Sequence, residues 1–215
     1  MPIACIRYRL RQPLCRYVLL CFEALGRRLQ CKNEGASMTS FINLPGIGNS
    51  GEGHWQTYWE ASDSRFTRFD PASWDEPDLA DWISALDRAT GRQSSSVVLV
   101  AHSLACLLIG HWAHKTTNHI AGAFLVAVPD PTGDDFPQQA ASFKNVPAQR
   151  LPFPALVIAS SNDPYSTLDT ARTCAAGWGC PCVDVGEHGH INDVGSWEQG
   201  KMLLTAFAAG TSRPG

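Results

Sequence analysis

The chain has 215 residues, of which 44% are hydrophobic and 17% charged, and a formal net charge of -3. That length suits one domain with a substantial core and is short for two, and the composition excludes a disordered chain. A mildly acidic balance also lacks the basic footprint that binding to nucleic acid requires.

The charge is unevenly spread. Residues 1–37 hold seven Lys or Arg against Glu23 and Glu34, a net of +5, so the remainder of the chain carries -8. This segment also holds four of the eight cysteines, Cys5, Cys15, Cys21 and Cys31. Its apolar run YVLLCFEAL is interrupted by Glu23, lacks a small-residue cleavage site and is too short to span a membrane. Residues 1–37 therefore read as an N-terminal extension, either disordered or belonging to a misassigned start upstream of Met38. A basic amphipathic helix on a membrane surface is the alternative. The folded domain is expected over residues 38–210.

From residue 40 onward short apolar runs alternate with helical patterns. SFINL is a strand that ends in the turn LPGIGNSG. GHWQTYWEASD is an amphipathic helix with Trp55, Tyr58 and Trp59 on one face, and RFTRF is a second strand. PDLADWISALDRAT places Leu79, Trp82, Ile83 and Leu86 on one helical stripe. SVVLVA is a third strand, continuous and β-branched as expected when both faces are buried, and LACLLIGHWAHKT follows it as a helix. IAGAFLVAVP, PALVIAS and CVDVG supply three more strands, and DTARTCAAGW and SWEQGKMLLTAFAAG two more helices. Strands alternating with helices imply right-handed crossovers and a mainly parallel six-stranded sheet covered on both faces, an α/β fold.

Within this frame LVAHSLAC, residues 99–106, places Ser103 between the third strand and a helix. The pattern G-x-S-x-G marks a nucleophile elbow, a strained turn that presents a serine hydroxyl at the top of a sheet. Here Ala101 and Ala105 stand where the glycines would be, and a serine that merely caps a helix is the competing reading. Two further residues decide between them. Asp163 follows the strand PALVIAS in the turn SSNDPY, and His190 follows CVDVG in the loop GEHGHIN. All three lie at carboxyl ends of strands, where open parallel sheets collect their chemistry, in the order Ser, Asp, His of α/β-hydrolases. Oxyanion donors are expected from the backbone N–H of Leu104 and, in the PGIGN loop, of Ile47 or Gly48. The glycines Gly46, Gly48 and Gly51 would let that loop approach closely.

The stretches NLPGIGNSGEGHWQTYWE, VVLVAHSLAC, SSNDPY and GHIN resemble small serine hydrolases of the retinoblastoma-binding protein 9 type and their bacterial relatives, from about residue 39 to 205. The resemblance implies an α/β-hydrolase fold without a large lid, with Ser103 as nucleophile, Asp163 as acid and His190 as base. The GHIN match selects His190 over His188.

The remaining polar candidates weigh less. His54 and Trp55 are expected to contribute to substrate binding, with a helix-start surface histidine and a core tryptophan as the plainer readings. His102 is expected to point away from the nucleophile, and His111, His114 and His119 to be solvated helix residues. Asp130, Asp134 and Asp135, after the fourth strand, are alternative acids ranked behind Asp163. Cys106, Cys174, Cys180 and Cys182 lack paired metal-ligand spacing and read as small buried apolar residues in a reducing, cytoplasmic setting. No metal or other cofactor is expected. The activity expected is hydrolysis of an ester, thioester or amide of a small molecule or short peptide, with no nucleic-acid or membrane partner. The alternative is a binding or interaction protein on the same fold with weak or lost catalysis.

Overall fold

Each of the six strand segments expected from residue 40 onward becomes one strand of a single sheet. The computed structural model describes residues 39–93 and 95–211, so the basic extension lies outside the described residues. The strands are β1 (Ser40–Leu44), β2 (Phe66–Arg68), β3 (Val97–His102), β4 (Gly122–Val126), β5 (Ala155–Ala159) and β6 (Cys182–Asp184). They are parallel throughout and ordered β2-β1-β3-β4-β5-β6. The helices are α1 (Trp55–Ser62), α2 (Leu79–Gly91), α3 (Leu104–Trp112), α4 (Leu168–Trp178) and α5 (Glu198–Thr211). The connection between β4 and β5 holds only a short 3-10 helix, Gln138–Phe143, which the hydrophobic periodicity did not mark.

Alternation along the strands builds two cores. Val97, Leu99 and Ala101 of β3 face one side with Trp82 and Leu86 of α2, Leu108 of α3 and Trp178 of α4. Val98 and Val100 face the other side with Trp55 and Trp59 of α1 and Leu204 of α5. A central strand with helices on both faces has no solvated side, which is why β3 is apolar at every position but its last. Each fully buried large side chain contributes about 1.5–3 kcal/mol over its exposed state. Helix boundaries follow local chemistry. Asp78 and Thr167 accept from the N–H groups of Asp81 and Thr170 to start α2 and α4, and α4 stops at Gly179, whose φ of 70° is left-handed.

Of the four cysteines in the body, all free, Cys106 is buried while Cys174, Cys180 and Cys182 are half-buried at the edge of the first core. Burial pushes the thiols up, to about 12 for Cys174 and about 11 for Cys180, so they sit as neutral packing groups. Among the described residues no helix is long and apolar enough to cross a membrane.

The strand order places the site. From β1 the chain goes to β2 on one side, then crosses to β3 on the other. The crevice outside the carboxyl ends of β1 and β3 is therefore a topological switch point.

Candidate active site

Ser103 occupies the step from β3 to α3 with φ 55° and ψ -126°, a conformation that L-residues rarely adopt and that costs on the order of 1–3 kcal/mol. Its backbone N–H donates to the Val126 carbonyl at 2.9 Å, and its carbonyl accepts from Cys106 at 2.9 Å, which pins the turn on both sides. The side chain makes no capping bond to α3. The helix-cap reading of this serine is thereby excluded, and the hydroxyl points elsewhere. Ala101 and Ala105 are fully buried beneath the turn, so each methyl is accommodated as packing.

The Ser103 hydroxyl donates to His190 Nε2 at 2.8 Å. On the other edge of that ring, Nδ1–H lies 2.9 Å from each carboxylate oxygen of Asp163. A carboxylate only accepts, so Nδ1 carries the ring proton and Nε2 is left as the acceptor that faces serine. The side chains of His190 and Asp163 are 8% and 3% exposed, which keeps this bond out of bulk water. Asp163 is itself oriented by the Tyr165 N–H, 2.9 Å from its Oδ1. The three residues come from the ends of β3, β5 and β6. Their arrangement can remove a proton from a hydroxyl and return it to a leaving group.

The neighbouring loop packs against this turn. Gly46, just after β1, lies directly against the elbow: a β-carbon there would fall 2.8 Å from Ser103 Cβ. Gly46 to Asn49 form a turn, closed by the Asn49 N–H on the Gly46 carbonyl, with Gly48 at φ 75° in the position where a type II turn needs glycine. The N–H of Gly48 donates to the Trp74 carbonyl at 3.0 Å. Gly48 is thus removed as an oxyanion donor; its glycine serves the turn. Gly51 faces open space, so the close approach belongs to Gly46. Leu104 is the first residue of α3, where a backbone N–H has no helical acceptor.

Trp55 is corrected outright. It is fully buried and its Nε1–H donates to the Ile191 carbonyl, so it presents no surface to a substrate. His54 is half-buried, with its ring 4.9 Å from that of His102. Its Nδ1 accepts from the Gln56 N–H and caps α1, while its Nε2 is shut away from solvent and so not offered to a substrate. Burial, followed by the Arg68 charge, lowers its pKa to about 4.

His102 does not point away from the site. It is buried, its ring lies 5.0 Å from that of His190, and its Nε2 is 2.9 Å from the His190 carbonyl oxygen. His188 is exposed and is engaged through its backbone, its N–H on Ser160 Oγ and its carbonyl by the Ile191 N–H. The Asp130 carboxylate accepts from Thr132 in its own loop, and Asp134 and Asp135 are exposed. His111 bonds the Phe143 carbonyl, while His114 and His119 are exposed.

The sequence pattern did not single out Ser160, Asn162 or Tyr165. Asn162 Oδ1 accepts from the Gly189 N–H at 2.7 Å and from Ser160 Oγ at 2.9 Å. The Tyr165 ring stands edge-on to His190, with centroids 4.7 Å apart. All three fall in the SSNDPY turn, and their placement beside Asp163 was the available signal.

A family model described as serine hydrolase matches residues 41–206. No curated protein matches the chain by sequence. Among solved structures, a putative YdeN-like hydrolase from Pectobacterium atrosepticum is similar at 28% identity and a TM-score of 0.72, with 91% of this chain and 98% of that one covered. The ydeN gene product of B. subtilis is similar at 18% identity and a TM-score of 0.64, over 80% of this chain and all of that one. Est1E from Butyrivibrio proteoclasticus shares the fold at 11% identity and a TM-score of 0.60, over 83% and 90% of the two chains. The family match runs from β1 into α5, so it includes every element that carries the site. With its six-stranded α/β-hydrolase sheet, the chain belongs to the serine hydrolase family.

Proposed function

We propose that the protein cleaves small esters, thioesters or amides through a covalent acyl-enzyme, with Ser103 as nucleophile, His190 as general base and acid, and Asp163 as the carboxylate that orients it. The observation that carries this reading is the continuous bond line from Ser103 Oγ through His190 to Asp163, built on a strained elbow. A neutral serine hydroxyl is a weak nucleophile, so His190 Nε2 takes its proton as Oγ attacks the substrate carbonyl carbon. The resulting oxyanion is met by the backbone N–H groups of Leu104 and Ile47, each worth about 2.7–4 kcal/mol in the transition state. His190 then gives the proton to the leaving oxygen, sulfur or nitrogen as the scissile bond breaks. Water repeats the sequence on the acyl-enzyme, and the acid leaves with Ser103 restored. Asp163 stays ionised throughout and stabilises the imidazolium.

A cleft of about 190 Å³ is lined by Asp130 and Phe136 of the loop after β4 and by Pro164 and Tyr165 after Asp163. Tyr165 also touches His190, so the cleft adjoins the proposed site. Its volume is below the range of about 300–1,000 Å³ of sites for drug-sized ligands, which favours a short acyl or leaving group. The test is labelling with a fluorophosphonate probe, followed by hydrolysis of nitrophenyl esters of increasing acyl length. Rapid labelling and a rate that falls with chain length are expected. A chain inert to the probe would overturn the proposal and favour a binding protein on this fold.

A further inference from the structure

The loop that carries His190, residues 186–197, contains no helix or strand. It has positive φ at Gly186, Gly189, Ile191, Gly195 and Trp197. Ile191 is β-branched and sits at φ 55° immediately after His190, a conformation that persists only when its surroundings over-determine it. Those surroundings are the second core, in which its side chain is fully buried, the His188 carbonyl that its N–H meets, and three aromatic N–H groups along the loop. His102 Nε2 is 2.9 Å from the carbonyl oxygen of His190. Trp55 Nε1–H donates to the Ile191 carbonyl at 2.9 Å, and Trp59 Nε1–H to the Ser196 carbonyl at 2.7 Å. A carbonyl only accepts, so His102 is held as the Nε2–H tautomer, and burial holds its pKa well below the ordinary value, which keeps the ring neutral.

We propose that His102 and Trp55 are positioning residues for His190, their ring N–H groups holding the carbonyls of His190 and Ile191 so that the His190 ring spans the gap between Ser103 and Asp163. This rests on the reading of Ser103 and His190 given above. The donors are well suited to the task. Both rings are buried, both come from rigid elements (the end of β3 and the start of α1), and each engages one of two consecutive peptide carbonyls at the strained step. His102 adjoins Ser103 in the chain, so one strand end sets both the nucleophile and the backbone of its base. The side-chain bonds of His190 define where the ring must go; the two backbone bonds keep the loop from carrying it away.

The test compares His102→Phe, His102→Gln and Trp55→Phe with the wild type, by kcat and KM on a short-chain nitrophenyl ester and by the downfield proton resonance of His190 Nδ1–H. The phenylalanine variants keep an aromatic ring and lose the donor; glutamine keeps an amide N–H for the same carbonyl. A misplacement of the base by about 1 Å is enough for a loss of about 100-fold, so His102→Phe is expected to fall by that order in kcat with KM little changed. Its downfield resonance should broaden or vanish, and His102→Gln should recover most of both. Wild-type kcat with an intact resonance in His102→Phe would overturn the proposal, as would a glutamine variant no better than phenylalanine. If His102→Phe does not fold, Trp55→Phe decides: lowered kcat at unchanged KM supports the proposal, and unchanged kcat overturns it. A wild type inert to the fluorophosphonate would sink the hydrolase reading itself. The resonance would still report the clamp, and its survival in both phenylalanine variants would overturn that separately.

Discussion

Gly46 and Ser103 are packed so closely that a β-carbon on Gly46 would lie 2.8 Å from Ser103 Cβ and 3.3 Å from both Ser103 Oγ and the His102 carbonyl oxygen. The loop after β1 is thus seated on the elbow with no room for a methyl. Gly46→Ala must push either this loop or Ser103, the proposed nucleophile, out of place. Because a displacement of about 1 Å can cost about 100-fold, esterase activity is expected to fall by that order while the protein stays folded. Steady-state kinetics beside a thermal melt checks this, and full activity would show that the loop can shift freely.

Ser103→Ala and His190→Ala are each expected to lower kcat by roughly 10⁴- to 10⁶-fold, because members of such a relay act as a unit. His188→Ala should retain most activity, since that side chain is exposed and the residue is bonded through its backbone N–H and carbonyl, which alanine keeps. Initial rates on a nitrophenyl ester rank the three variants. The reverse order for the two histidines would reassign the base.

The elbow's strain can be measured separately from its chemistry. Ser103→Gly and Ser103→Ala both lack the hydroxyl, yet only glycine is at ease at φ 55° and ψ -126°. Ser103→Gly should therefore be more stable than Ser103→Ala, by about 1 kcal/mol once the added entropy of unfolded glycine is counted. Denaturant unfolding of the pair reads the difference; equal midpoints would mean the turn relaxes without the hydroxyl.

Ala105 is fully buried in the first turn of α3. Ala105→Gly restores the commoner elbow pattern but loses helix propensity, with an expected stability cost of about 1 kcal/mol. Activity should be kept or raised. A folded but inactive variant would mean that the methyl itself holds the elbow in place.

Stability should also fall in mild acid. His54 has its pKa lowered to about 4 by burial and then by the Arg68 charge, against an ordinary value of 6.5. The unfolded chain therefore takes up a proton at this residue where the folded one does not. Above pH 6.5 neither state is charged there and stability is at its full value. It is lost as the pH falls from about 6.5 to about 4, by up to about 3 kcal/mol. His102, also held neutral by burial, acts in the same direction. His54→Asn, which keeps a capping side chain for α1, should flatten the dependence between pH 7 and pH 4.5 in chemical denaturation. An unchanged slope would place the acid sensitivity elsewhere.

The strands, the helices and their alternation were legible in the chain because periodicity is local. A run such as VVLVA has no polar position to turn toward solvent, and it must become a central strand with both faces covered. Ser103, Asp163 and His190 were legible for a related reason: each follows an apolar run, and parallel strands bring all such ends to one edge. What the tertiary structure alone decided were the contacts between segments far apart in the sequence. Gly48 lost its donor role to a carbonyl on Trp74, which no spacing within PGIGN could announce. Trp55 looked like a pocket wall and His102 a bystander, because an aromatic on an amphipathic helix or at a strand end carries no mark of its partner. Their ring N–H groups reach carbonyls 136 and 88 residues away. Such pairings depend on the sheet order and on which helix covers which face, and those exist only once the whole chain has closed around its two cores.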